Sequence, residues 1–378
     1  YEISECLVGS EMCIRDSSVN DNLTTHTLYI VDEASMISNE GLSGAVFGTG
    51  RLLDDLIQFV YSGTGCRLVL MGDTAQLPPV GEEQSPALFA EALKGYGLEV
   101  IEVDLTQVVR QVQDSGILWN ATRLRQLIAE DACESLPKIK VSGFADIKVV
   151  SGDELIDTLS TCYDRDGMDE TIVVCRSNKR ANIYNNGIRA QILWREDELN
   201  TGDLLMVAKN NYYWTEKSRE MDFIANGEIA VLRRLRRTRE LYGFRFAEVL
   251  LAFPDYGDFE LEVNLLLDTL HTDAPALPKA DNDRLFYAVL EDYADISMKR
   301  ERMKKMKVDP HYNALQVKYA YAVTCHKAQG GQWKNVFLDQ GYMTDEYLTP
   351  DYFRWLYTAF TRATGTLYLV NYPKEQIL

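Results

Sequence analysis

The chain has 378 residues, with 39 Lys plus Arg against 57 Asp plus Glu for a net charge of -18, and 46% hydrophobic and 25% charged residues. That balance belongs to a folded protein of two or three domains and excludes a disordered, fibrous or small disulfide-built chain. It also excludes coating of nucleic acid through overall charge, so any contact with a polyanion must be local. No apolar run approaches the roughly 18 residues of a membrane span. The seven cysteines lie apart, without a CxxC pair or a His-rich cluster, which argues against disulfide and metal frameworks and for a reducing, cytoplasmic compartment.

Residues 1–17, YEISECLVGSEMCIRDS, have no amphipathic period, no secretory core and no cap or turn logic leading into the segment beyond them. They resemble translated sequencing-adapter strings, and the expectation is a non-native segment with the native chain entering near Ser18. HTLYIVDEAS (26–35) is a short β-rich run ending in Asp32 and Glu33, the form of a buried parallel strand whose C-terminal end presents chemistry. Adjacent residues at a strand end diverge, so Asp32 can hold Mg2+ while Glu33 faces an attacking water as base. A solvated carboxylate pair is the plain alternative. RLVLMGDTAQLPPVG (67–81) repeats the strand-and-loop form. There Gly72 permits close backbone approach, Pro78 and Pro79 stiffen the loop, and Gln76 can hydrogen-bond a terminal phosphate or its attacking water. GILWNATRLRQLIAE (116–130) places Ile117, Leu118, Ala121, Leu124, Leu127 and Ile128 on one core-facing helical stripe and is expected to open the second domain.

DIKVV (146–150), a helix around 155–162 and TIVVCRSNKRANIYNNGIR (171–189) read as β-α-β-α. Between 201 and 314 the pattern changes to short β-rich runs at 202–210, 226–235, 244–253 and 259–267, which predict a small barrel with helical additions, its spacing suited to an SH3-like insertion. Two basic clusters stand out, Arg233 to Arg239 and MKRERMKKMK (298–307), in a segment with 17 basic and 20 acidic residues. The second cluster reads as a solvated helix face ahead of a DNA clamp. Tyr212, Tyr213 and Trp214 suit either base stacking or core packing. LQVKYAYAVTCHKAQGGQW (315–333) is expected to return to the second domain as an alternating strand followed by a polar turn, and RWLYTAFTRATGTLYLV (354–370) to give a helix, a turn at Gly365 and a last buried strand.

Together DEAS, GDTAQLPPVG, TCHKAQG (324–330) and LYTAFTRA (356–363) resemble motifs II, III, V and VI of superfamily 1 DNA helicases, nearest the RecD-like, 5′ to 3′ branch. The resemblance spans most of residues 26–372. It implies an α/β P-loop NTPase with tandem RecA-like domains, ATP and Mg2+ in the cleft between them and single-stranded DNA across their tops. The domain boundaries expected are 18–115 for the C-terminal part of an incomplete first RecA-like domain, 116–200 with 315–378 for the second, and 201–314 for an inserted SH3-like 2B domain.

Residue by residue, the resemblance makes Asp32 the Mg2+ carboxylate, Glu33 the base and Gln76 the phosphate sensor. Arg110, in LTQVVRQ (105–111), and Arg362, the arginine finger, would reach the γ-phosphate, where planar guanidiniums suit charge spread over several oxygens. Gln329 and Gly330 would bring backbone near the nucleotide. Gln332 stands where the family commonly has a ribose-binding Glu, and its amide can still hydrogen-bond a hydroxyl. DNA-backbone contacts are implied for Thr324, His326 and Lys327, and for Ser177, Asn178 and Lys179 after the strand TIVVC, where a plain helix cap is the alternative.

No segment supplies GxxxxGK(S/T), the loop whose amides and lysine cradle phosphates; FGTGR (47–51) lacks the Lys-Ser/Thr pair and comes after DEAS. Truncation upstream of Ser18 is the expectation. The function expected is that of an ATP-dependent DNA helicase or translocase, monomeric, partnered by single-stranded DNA and by DNA-repair or recombination proteins, without a membrane, and inactive in this truncated form. The alternative is a non-catalytic DNA-binding or interaction protein derived from a helicase. Polarity, and DNA against RNA, stay open.

Overall fold

The computed structural model describes residues 19–40, 49–105, 114–343 and 347–378. In chain order its elements are β1 (Leu28–Val31), α1 (Leu52–Ser62), β2 (Arg67–Leu70), α2 (Ala90–Lys94), α3 (Gly116–Ala129), β3 (Ile147–Val150), α4 (Leu155–Asp166), β4 (Thr171–Cys175) and α5 (Asn178–Gln191). After these come β5 (Leu204–Val207), β6 (Ile229–Leu241), β7 (Phe244–Phe253), β8 (Phe259–Leu266), α6 (Lys279–Glu291), α7 (Lys299–Lys307), β9 (Leu315–Tyr319), β10 (Ala322–Thr324), α8 (Cys325–Ala328), β11 (Trp333–Asp339), α9 (Pro350–Phe360) and β12 (Ala363–Val370). They divide into two compact units, one holding the described residues up to Phe144 with Met343–Thr361 and Leu378, the other Ala145–Tyr342 with Arg362–Ile377. Among the described residues no helix is long and apolar enough to cross a membrane.

In the first unit β1 and β2 pair in parallel. The α1 sequence LLDDLIQFVYS repeats apolar residues at helical spacing, and Leu53, Leu56, Phe59 and Val60 pack with Val31 and Ala34 in one core. Asp54 and Asp55 sit in its first turn, where carboxylates meet the positive end of the helix dipole. Helix α3 is capped by Ser115, whose side chain accepts from Leu118 N at 3.1 Å, and buries Ile117, Ala121 and Leu124 from the expected stripe. It packs on α9. Thr349 caps α9 by accepting from Tyr352 N, and Pro350 occupies its first turn, where a missing N–H is harmless.

The second unit joins two sheets. Strands β10-β4-β11-β12-β3 form a parallel sheet in that order, and β5 to β9 form a closed five-stranded barrel. The fully buried run TIVVC of β4 has the composition of a central parallel strand. Strands β6 and β7 are joined by Tyr242 and Gly243, both at positive φ (58° and 71°), a two-residue turn that continues the twist of the hairpin. The predicted runs at 202–210, 226–235, 244–253 and 259–267 each carry a barrel strand, but the fifth strand is LQVKY, which the sequence pattern places in the parallel-sheet domain. It pairs antiparallel with β5 and parallel with β8. The chain changes sheet between Ala320, whose N donates to Leu204 O at 3.0 Å, and Tyr321, whose O accepts from Val173 N at 3.0 Å. Leu315, Val317 and Tyr319 face inward, the period-2 pattern of a strand with one buried face.

This junction is held by buried polar groups. Asp203 is fully buried and accepts from Arg189 Nε and Nη2 (both 3.1 Å), Arg195 Nη1 (2.7 Å), Tyr321 OH (2.9 Å) and Asn200 N (2.7 Å). Asn185 of α5 donates to Tyr319 O and Ala322 O and accepts from Ala322 N, clasping both sides of the sheet change. Four of the five arginines of β6 are matched by acids: Arg233 with Asp258, Arg236 with Glu262, and Arg237 and Arg239 with Glu248. The aromatic run is half-buried, with Tyr212 stacked on Phe223 at 5.1 Å and Trp214 Nε1 donating to Asn313 O at 2.8 Å.

Candidate functional site

The ends of β1 and β2 are knitted together: Met71 N donates to Val31 O and Ala34 N to Met71 O, each at 2.8 Å. A Cβ on Gly72 would lie 2.9 Å from Ser35 N and 2.8 Å from Leu88 Cδ1, so only a hydrogen fits where the two strand-end loops touch. Asp32 is exposed and its Oδ1 accepts from Glu33 N at 2.9 Å. Glu33 is held in the left-handed region at φ 52°, ψ 35°, a conformation that non-glycine residues adopt at some energetic cost and that recurs at functional sites. Among the described residues no group of three or more His, Cys, Asp or Glu could hold a metal. What the strand end offers is one exposed carboxylate, Asp32, with the half-buried Glu33 beside it.

The loop after β2 is fastened to α9. Asp73 accepts from Tyr357 OH at 2.6 Å through Oδ2 and from Ala75 N at 3.0 Å through Oδ1, with Arg125 Nη2 3.8 Å from Oδ1. Leu77 N donates to the buried Thr358 Oγ1 at 2.9 Å. Sequence reasoning names Gln76 in this loop and places Tyr357 and Thr358 on the helix after residue 354, but gives no role to these two or to Asp73. The only signal for them in sequence is their place inside the quoted motifs. Gln76 is half-buried, its N donating to Asp73 O at 3.1 Å. Arg110 lies outside the described residues.

In the second unit the structure gathers part of the expected nucleic-acid set. A shallow surface pocket is lined by Asn178 and Asn182 of α5, Thr324 at the end of β10, Lys327 of α8 and Lys318 of β9. Ser177, Lys179 and His326 do not line it. Ser177 is the N-cap of α5, accepting from Arg180 N at 3.2 Å. Sequence reasoning misses Lys318 because it alternates outward from a strand whose pattern does not reveal that it closes the barrel. Burial pushes both lysines down to about 8, against the pull of Asp273 in the case of Lys318. Gln329, Gly330 and Gln332 come after α8, with Gly330 at φ 82°. Arg362 is buried, and its Nη1 donates to Gly331 O at 3.1 Å while its O accepts from Trp333 N at 3.0 Å.

Residues 319–370 match the UvrD-like helicase C-terminal domain. That span contains Thr324 to Gly330, Tyr357, Thr358 and Arg362. The chain is also 21% identical over 392 residues to R530, an uncharacterized protein of Acanthamoeba polyphaga mimivirus, covering 90% of this chain and 74% of that one. Among solved structures, the Bacteroides Pif1 helicase in complex with ADP-AlF3 and single-stranded DNA aligns at 15% identity and a TM-score of 0.49, over 93% of this chain and 72% of that one. The Pif1 helicase from Candida albicans aligns at 17% identity and a TM-score of 0.40, over 92% and 72%.

Proposed function

We propose that the chain is the motor region of an ATP-dependent DNA helicase or translocase of superfamily 1, on the RecD-like side. The observation that carries the reading is the match of residues 319–370 to a helicase C-terminal domain, over the same span in which Thr324 and Lys327 line one pocket. ATP with Mg2+ would supply the phosphoanhydride whose hydrolysis drives movement. Asp32 would hold the metal and Glu33 would take the proton of the attacking water, its carboxylate directed by the fixed left-handed backbone. Gln76 and Arg362 would sense and neutralise the terminal phosphate, as would Arg110. Gln329, Gly330 and Gln332 would border the nucleotide. Single-stranded DNA would meet Thr324, His326 and Lys327, with Asn178 and Lys179 beside them.

Anisotropy of a fluorescent oligo(dT) tests the DNA half. The purified chain is expected to bind it with an affinity that falls steeply with salt, and Thr324→Ala with Lys327→Ala to weaken it. A folded chain with no affinity for the oligonucleotide overturns the reading.

One observation favours a second reading, a DNA-binding protein that does not hydrolyse ATP: these residues contain no GxxxxGK(S/T). The parent DNA read in frame upstream of the Ser18 codon separates the two. An encoded cradle supports the motor, and a start codon at that point supports the non-catalytic protein.

A further inference from the structure

The geometry points to a phosphate grip in the second unit, formed by Lys318 from the barrel and Lys327 from α8, which takes adjacent phosphates of a single-stranded nucleic acid. The proposal rests on the function proposed above and adds to it a cation that no helicase motif in the sequence contains.

Both ammonium groups are aimed by neutral oxygens. Lys318 Nζ donates to Thr269 O at 3.2 Å and Thr272 O at 2.6 Å, and Lys327 Nζ donates to Asn226 Oδ1. Carbonyl and amide oxygens orient an ammonium without cancelling its charge, and each group has three donors, so N–H remains for a ligand. Neither lysine makes an ion pair among the described residues, whereas four of the arginines of β6 do. The charged groups that act on Lys318 are Asp273, which favours its cation, and Lys327, which opposes it. Asp273 Oδ1 is already engaged by Asn182 Nδ2 at 3.2 Å.

Two like charges share one half-buried pocket in a chain whose net charge is -18. Such an arrangement is unfavourable in the free protein and is relieved by an anion. The rim supplies neutral donors, the Thr324 hydroxyl and the Asn178 amide, of the kind that hold phosphate oxygens. Lys318 stands next to Tyr319 and the sheet change, so the grip spans barrel and parallel sheet.

Oligo(dT) anisotropy on the whole chain, over a salt series and from pH 7 to 9.5, tests the grip. Wild type is expected to lose affinity as the pH rises, because deprotonated lysines no longer attract phosphate. Lys318→Met is expected to weaken binding roughly tenfold and to lower the salt slope by about 0.7, the value for one single-strand phosphate contact. Lys318→Arg, which stays charged, is expected to keep the affinity at pH 7 and to flatten the decline, a change that a purely structural role for Lys318 would not produce. Wild-type affinity and salt slope in Lys318→Met, or an undiminished pH decline in Lys318→Arg, overturns the grip while the proposed function stands. Absence of binding by folded wild type withdraws both.

Discussion

Tyr357 donates its phenolic hydrogen to Asp73 at 2.6 Å, and one residue further along α9 Thr358 accepts the Leu77 N–H at 2.9 Å. Two successive side chains of one helix thus bond to the loop on the two sides of Gln76. The chain leaves this unit after Thr361 and enters the other at Arg362.

The bond from Leu77 to Thr358 is buried, and replacing the hydroxyl by a methyl removes its acceptor. Thr358→Val is expected to destabilise the first unit by about 0.5–1.5 kcal/mol and Thr358→Ser by much less, read from urea unfolding. Equal stability of the Val variant and wild type would show that the loop does not depend on this bond.

Without a phosphate cradle in its sequence, the purified chain is expected to show no DNA-stimulated ATP turnover in a phosphate-release assay. A helicase-like rate that is lost in Glu33→Gln would mean that another segment binds the phosphates.

Asp203 compensates the buried guanidinium of Arg189 and the partly buried one of Arg195. Removing it strands both charges, so Asp203→Ala is expected to destabilise the second unit by about 3–5 kcal/mol. Arg195→Met removes only one partner, and its effect is expected to be smaller. Equal denaturation midpoints for Asp203→Ala and wild type would place the strength of the junction elsewhere.

Glu228 is buried, and burial first, then the charge of Asp255, pushes its carboxyl up to about 7. The folded state therefore holds a proton that the unfolded chain releases near its ordinary value of about 4.5. The stability this gives is present below that value and is lost as the pH rises through about 7. Glu228→Gln is expected to flatten the stability profile between pH 4.5 and 7.5 by up to about 3 kcal/mol. A profile unchanged by the substitution would rule out Glu228 as its source.

The elements legible in sequence are those whose pattern reflects one local environment. TIVVC is almost wholly apolar because both faces of β4 are covered, and the α3 stripe repeats at helical spacing because one face is. LQVKY is misplaced by its pattern because alternation marks a strand with one buried face without saying which sheet it joins, and sequence adjacency to Ala322–Thr324 suggests the wrong one. For the proposed site, Asp32, Glu33 and Gln76 are named from sequence because motif spacing carries them. Asp73 and Lys318 are not, because their roles come from partners distant in sequence, Tyr357 for the first and the loop at 269–272 for the second.

The direct passage from Ala320 to Tyr321 leaves no linker at which the barrel could be excised. A deletion of residues 201–314, the obvious boundaries from composition, would remove β5 and β8 and leave LQVKY with its hydrogen-bonding edges bare. Such an edge recruits other chains. A shortened protein that stays soluble must also lose Leu315 to Tyr319 and rejoin the chain beyond Ala320.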